Sequence, residues 1–399
     1  MRLDSEQLAA RGKAVHAAAR EYRDELVDYV CRLARVESPS DDPTTQAPVQ
    51  EILTRALGEL GYRVRKVGGG ASGGHLFAAP ALRPKGRPAQ LLMGHSDTVW
   101  PVGTLARMPV EVRDGRLRGP GVFDMKAGLT QMIFALRILR DLELDPPATP
   151  VLFINSDEEL GSPDSRRRVE LVARHVCRAF VIEPSLGPDG HLKTARKGVG
   201  NFAVTVRGKA AHAGLDPRGG ASAILEMAHV IRYLHGLTDH EAGITVNVGV
   251  VGGGLRPNVI APEAHAQVDV RVLTLDDARK IEATIRAMEP GTPGTSLEIE
   301  GGFTAPPLER TPRNRALWQA AREAGSRVGI TLQEAVAGGG SDGNTTSLFT
   351  ATLDGLGAAG DGAHAAHEFL YVDSLVERTA LLAELLMVPV PAPGEEGAG

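Results

Sequence analysis

The sequence predicts an α/β fold, a largely parallel sheet with helices on both faces, interrupted by a smaller α+β unit. Three observations predict it. Short apolar runs of strand length, AQLLMGH (89–95), PVLFINSDEE (150–159) and RAFVIEPS (178–185), each end in a polar, chemically capable residue. Helical patterns such as MKAGLTQMIFALRILRDL (125–142) separate them, as parallel crossovers require. Between 199 and 305 the pattern changes to strand, helix, two strands, helix, strand.

Taken in order, residues 5–37 read as one helix, and ESPSDDPTTQ that follows is a loop of turn formers. PVQEILTRALGELG carries apolar residues at helical spacing and stops at Gly61, a C-cap. YRVRKV then alternates like a strand. GGGASGG (68–74) lacks the Lys-Ser/Thr ending of a phosphate loop and reads as punctuation between strands. In the middle, NFAVTVRG, ITVNVGVVGG, HAQVDVRVL and SLEIEGGF are strands, and GASAILEMAHVIRYLHG and DDARKIEATIRAM are helices. That β-α-β-β-α-β order is the ferredoxin-like arrangement. NRALWQAAREAG resumes as a helix, and TLQEAVAGGGSDGNTTSLF begins the return to the first domain. The expected division is therefore one discontinuous domain, 1–198 with 306–399, and an inserted domain, 199–305. The Pro/Gly-rich tail PVPAPGEEGAG is expected to fray.

Composition narrows the class. The chain has 399 residues, 42% hydrophobic and 23% charged, enough for two domains of an ordinary globular protein. Net charge is −5 and the basic residues are dispersed, which argues against nucleic acid as a partner. Arg166–Arg168 is a short run that reads as a solvated helix face. Two distant cysteines, Cys31 and Cys177, give neither a disulfide framework nor a thiolate metal site. No signal peptide is visible and no run of 18 apolar residues occurs, so a cytoplasmic location without membrane insertion is expected.

The chemistry lies in five short motifs. In GHSDT, His95 and Asp97 stand two apart at a strand end and share one face. A neutral imidazole suits a zinc-like ion, and an oxygen partner orients its other nitrogen. Asp124 in GPGVFDMKAG is a carboxylate able to bridge two ions, with Gly119, Gly121 and Gly128 allowing tight backbone around it. Glu158 and Glu159 in SDEELGS are adjacent, so one can ligate while the other moves a proton. Glu183 ends the apolar run AFVIE, where an uncompensated carboxylate would be costly. GAHAAHE offers His364 or His367 as a last ligand. Taken singly, an HxD pair is more often a hydrogen-bonded core pair, and an EE an exposed turn. Trp100 and Trp318 read as packing residues, with Trp100 near the mouth of the cleft.

Together these motifs resemble the M20 metallopeptidase family, and within it the glutamate carboxypeptidase (carboxypeptidase G-like) branch. The resemblance runs from about residue 25 to 385 and includes GHSDTVWPVG, GPGVFDMKAG, DEELGS, GKAAHAG, the NVG-GG-RPNVI-P-A run ending VDVR, and HAAHEFLYVDSL. It implies a zinc-peptidase-like catalytic domain with an inserted lid and dimerisation domain. One zinc would be held by His95, Asp124 and Glu183, and a second by Asp124, Glu159 and His364. His364 is favoured over His367 because the family's ligand stands four residues before a Glu, here Glu368. Glu158 would be the general base and Asp97 the residue supporting His95. Within the insert, His212 matches a histidine that polarises the scissile carbonyl, often from the partner subunit. Asn258 and Arg271 match positions near the substrate, and Arg271 fits a free carboxylate. Met125 departs from the family, which usually has an acidic residue there after a bond that is often cis.

The expected function is thus a di-metal amidohydrolase, with Zn2+ the first choice and Co2+ or Mn2+ alternatives. It would release a C-terminal amino acid, glutamate foremost, from a small peptide or N-acyl conjugate, as a homodimer. The alternatives are an N-acyl-amino-acid deacylase of acetylornithine or succinyl-diaminopimelate type, a dipeptidase, a single-metal aminopeptidase, or a catalytically silent metal-binding scaffold.

Overall fold

The computed structural model describes residues 4–390, so the greater part of the tail expected to fray lies outside the described residues. The chain divides into two compact units, one of residues 4–194, 310–336 and 341–390, the other of residues 195–309 and 337–340.

The first unit is built on a six-stranded sheet. Its order runs from Tyr62–Val67 through His75–Pro80, Thr149–Asn155, Ala89–His95 and Arg178–Val181 to Ala351–Leu353. The last four strands are parallel, and all seven residues of both Ala89–His95 and Thr149–Asn155 are buried. Continuous apolar runs are what a doubly covered parallel sheet demands. The first two strands join the sheet antiparallel, as a hairpin at the edge, so the sheet is mixed. A smaller antiparallel sheet pairs Glu111–Arg113, Arg116–Arg118, Phe369–Tyr371 and Gly360–Asp361. The α/β class read from the sequence is the class observed.

Helix Ala127–Asp141 buries Leu129, Met132, Ile133, Phe134, Leu136, Ile138 and Leu139 against the sheet and the C-terminal helix Val372–Leu386. Each such side chain contributes about 1.5–3 kcal/mol by leaving water. Gly128 lies on this helix because a Cβ there would meet the Ile182 carbonyl oxygen at 2.2 Å. The close approach brings the helix start against the strand end that carries Glu183.

The expected single helix over 5–37 is two helices, Ser5–Glu21 and Arg23–Ala34, broken at Tyr22. No glycine or proline marks the break. Tyr22 donates its hydroxyl to Asp141 and packs edge-on against Phe134, with Arg137 over its ring. Tertiary contact thus overrides local helix propensity at that residue.

The second unit is a four-stranded antiparallel sheet ordered Thr245–Gly253, Glu263–Val272, Gly198–Arg207, Ser296–Ala305. Helices Ala223–His235 and Leu275–Arg286 cover one face, capped by Ser222 and Thr274, whose side chains accept from Leu225 and Asp277 backbone N–H groups. Phe202, Val204, Val206, Met227, Val230, Val268, Val270, Ile281 and Ile285 form its own core. Strand order and element order together are ferredoxin-like. Among the described residues, no helix is long and apolar enough to cross a membrane.

Candidate metal centre

The C-terminal ends of the parallel strands in the first unit converge, the place where open α/β sheets bind ligands. His95 is the last residue of its strand. Its Nδ1 lies 2.9 Å from the Asp97 carbonyl oxygen, which leaves Nε2 aimed at two carboxylates, Asp124 Oδ1 at 3.3 Å and Glu183 Oε1 at 3.5 Å. Asp97 is fully buried; its Oδ2 accepts from the Ser40 hydroxyl at 2.7 Å and from the Glu159 backbone N–H at 3.2 Å. One carboxylate therefore ties the His95 strand end to the turn bearing Glu158 and Glu159.

Asp124 sits in an irregular turn, Val122–Lys126, where it and Met125 leave helical geometry, and the peptide bond between them is cis. Gly121 enters this turn at φ 70°, a conformation that favours glycine. Asp124 presents its two oxygens to different imidazoles: Oδ1 to His95 and Oδ2 to His364 Nε2 at 3.4 Å. His364 also reaches Glu159 Oε2 at 2.9 Å. Its backbone is left-handed, at φ 61°, which is uncommon outside glycine and is tolerated where surrounding contacts over-determine it. Ligand atoms of His95, Glu158 and Glu183 all lie within 4.8 Å of one another, as do those of His95, Asp124 and Glu159.

The electrostatics are those of a crowded anionic cluster. Burial opposes charge on His95, yet hydrogen bonds to Asp124, Asp97 and Glu183 hold its pKa well above the usual value. Asp124 and Glu159 raise the pKa of His364 to about 10. Burial and the Glu183 carboxylate push Glu158 well above the usual carboxylate range. Among the described residues no lysine or arginine pairs with Asp124, Glu158 or Glu159. The buried oxygens Glu159 Oε1 and Asp97 Oδ1 have no hydrogen-bond partner. Carboxylates and imidazoles facing one another in this way are a donor set that fits divalent ions.

Behind the cluster stands Glu368, fully buried. Its carboxylate accepts the Trp100 indole N–H at 2.7 Å and the backbone N–H groups of Gly121, Phe123 and Asp124 at 2.9, 2.9 and 3.1 Å. Burial pushes its pKa up to about 7 against the pull of those amides. The sequence marks Glu368 only by its spacing from His364; nothing local in GAHAAHE says that it holds the Asp124 turn. His367 is exposed.

Three residues singled out in the sequence belong to the second unit. His212 and Asn258 are exposed on adjoining segments: His212 bridges Val259, and the Ala213 N–H donates to the Asn258 carbonyl at 3.0 Å. Arg271, near the end of its strand, donates to Asp269 through Nε at 2.9 Å and Nη2 at 2.8 Å.

The sequence profile of peptidase family M20/M25/M40 matches residues 91–388. The chain belongs to this family. Carboxypeptidase G2 of a Pseudomonas species is 26% identical over 387 residues, covering 94% of this chain and 92% of its own. Among solved structures, aminopeptidase PepT from Bacillus cereus superposes with a TM-score of 0.77 at 22% identity, covering 92% of this chain and 98% of its own. The YXEP protein of Bacillus subtilis, a dinuclear metal binding peptidase from the M20 family, gives 0.68 at 16% identity, covering 92% and 98%. These two likenesses concern the fold. The M20 chain described here is a metal-dependent hydrolase.

Proposed function

We propose that this M20 hydrolase removes a C-terminal amino acid, glutamate foremost, from a small peptide or N-acyl conjugate at a two-cation centre. The observation that carries the reading is Asp124, whose two carboxylate oxygens face His95 and His364 separately. Such a carboxylate can serve two ions at once. His95, Asp124 and Glu183 would hold one, and Asp124, Glu159 and His364 the other. A mixed imidazole and carboxylate set suits zinc first, with cobalt or manganese as alternatives. When bound, the ions supply Lewis acidity toward the amide carbonyl and a water made acidic enough to react near neutral pH.

The remaining chemistry belongs to side chains. Glu158, beside the ligands and not needed as one, takes the proton from water and returns it to the leaving nitrogen. Asp97 fixes the orientation of His95 through the segment that accepts its Nδ1–H. His212 donates to the developing oxyanion, within one chain or from a second copy. Asn258 and Arg271 hold the free carboxylate of the leaving amino acid. Asp269 already engages the Arg271 guanidinium, so a substrate carboxylate binds there by exchange or by sharing. That pairing keeps a second reading in play, an N-acyl-amino-acid deacylase or dipeptidase using the same cluster and a different carboxylate contact.

Two further parts complete the reading. A homodimer through the second unit is supported by its outer strand, Thr245–Gly253, an open sheet edge on which Val250 and Val251 are 58% and 57% exposed. A cytoplasmic location is supported by the cysteine usage, since Cys31 and Cys177 are not joined in a disulfide.

The test is a turnover screen with zinc present, across peptides and N-acyl amino acids ending in glutamate, aspartate or a neutral residue. Release of the terminal amino acid is expected, fastest for glutamate; a zinc-loaded protein that cleaves nothing in the panel refutes the reading. Glu158→Ala should keep its metal and lose about 10²–10⁴ in rate. Robust hydrolysis by that variant would remove Glu158 from its role.

A further inference from the structure

The turn that carries Glu158 and Glu159 has no regular structure of its own to hold it. Only the short helical turn Glu158–Leu160 intervenes before two consecutive left-handed residues, Gly161 at φ 83° and Ser162 at φ 57°. Glycine adopts that backbone freely, whereas serine does so at a cost. Ser162 is nonetheless buried, and its hydroxyl donates to Asp342 Oδ1 at 2.7 Å. The other oxygen, Asp342 Oδ2, accepts from Asn155 Nδ2 at 2.7 Å, and the same Asn155 amide reaches Ser162 Oγ at 3.3 Å and Ser165 Oγ at 3.0 Å. Asn155 is the residue paired in register with His95 across the parallel strands. Asp342 is 4% exposed and lies 180 residues from Ser162, on the return segment that opens helix Asp342–Thr346. No step of the proposed hydrolysis uses this buried carboxylate.

We propose that Asp342 is a positioning residue for catalysis: with Asn155 it grips Ser162 and so fixes the left-handed end of the turn that aims Glu158 and Glu159. The geometry is a closed three-residue bracket. One side is the strand end beside His95, one is the far end of the Glu158–Glu159 turn, and the third is the return segment. Asp157 closes the near end of the same turn, where its Oδ2 accepts the Asp164 and Ser165 backbone N–H groups at 2.7 and 3.0 Å. Losing Asp342 or the Ser162 hydroxyl leaves a strained residue without its restraint, and the two carboxylates that follow from the turn lose their common aim. Groups standing behind metal ligands are worth about 10–100-fold in affinity or activity, and a displacement near 1 Å costs about 100-fold in rate.

This inference rests on the assignment of Glu158 as base and Glu159 as ligand. Its test uses Ser162→Ala, Asp342→Asn and the double variant in the full-length protein. Zinc chloride is titrated by calorimetry, and kcat and KM are measured at saturating zinc on the best-cleaved amide. Each single variant should weaken binding of one zinc about tenfold or more and lower kcat about 10–100-fold, with KM changed less than about threefold. The double variant should fall no further than the worse single, because both changes open one bracket. Full-strength zinc binding with unchanged kcat in a folded single variant overturns the proposal, as do losses that multiply in the double. A lower melting temperature with both quantities unchanged means a purely structural bracket and overturns it equally. Should Asp342→Asn fail to fold, Ser162→Ala alone decides on the same two readouts. If the parent protein binds zinc but hydrolyses no amide, the functional reading fails while the zinc titrations still decide this one.

Discussion

Glu368 illustrates what a single buried carboxylate does in this protein. Four N–H groups converge on it, three from the turn that presents Asp124 and one from the Trp100 indole. Hydrogen bonds to a charged acceptor are among the stronger ones, and each orphaned buried donor costs about 1–3 kcal/mol. In Glu368→Gln one acceptor oxygen becomes an amide nitrogen facing donors, either Trp100 and Gly121 or Phe123 and Asp124. The chain has two tryptophans, so Trp318→Phe isolates Trp100. In that background Glu368→Gln should shift Trp100 emission to the red, and zinc binding should weaken about 10–100-fold. Unchanged emission and unchanged zinc affinity would show that the carboxylate holds neither. At this scale the sequence is legible unevenly. His95, Glu158 and Glu183 announce themselves because each ends an apolar run, where a polar residue needs a reason. Asp342 and Glu368 do not, because their roles depend on segments about 180 and 245 residues away folding onto them.

The elements were readable where period and length agree, as in the apolar strands and in the helices of the second unit. They were less readable where tertiary contact decides, as at Tyr22, whose ring and hydroxyl are claimed by Phe134, Arg137 and Asp141. The antiparallel edge hairpin was equally hidden, since strand direction depends on partners and not on local pattern. Helix Ala223–His235 carries a testable anchor. Glu226 on its first turn accepts the Gly291 and Thr292 backbone N–H groups at 3.0 and 2.6 Å. Burial pushes its pKa up, but the Thr292 and Gly291 donors outweigh that and hold it below the usual Glu value. A carboxyl with a depressed folded pKa contributes stability that is fully present above its unfolded pKa and lost as pH falls through the folded one. Glu226→Gln should therefore be less stable than the parent at pH 7 by on the order of 1 kcal/mol. The gap should begin to shrink as pH drops below the ordinary Glu value of about 4.3 and close below the lower folded value. Denaturant unfolding at both pH values checks it, and a gap that persists in acid contradicts the anchoring role of the charge.

For the whole molecule, the division into two compact units puts His95, Asp124, Glu158, Glu159, Glu183 and His364 in one of them and His212, Asn258 and Arg271 in the other. The sequence changes element order and period over 199–305, and it carries the family because several motifs occur in one order. It does not carry the leaving amino acid, whose side chain would meet loops with no pattern of their own. The proposed dimer would use the open strand Thr245–Gly253, the outer strand of its sheet. Val251→Lys, a charge placed on that edge, should convert a dimer to a monomer in light scattering. A parent protein that is monomeric at all concentrations would contradict the dimer. Asp124 is proposed to join two cation sites into one centre, which zinc stoichiometry in the parent and in Asp124→Asn decides. Two zinc ions per chain are expected in the parent and loss of tight binding at both sites in the variant; a parent that binds one or none, or a variant that keeps both, would contradict it.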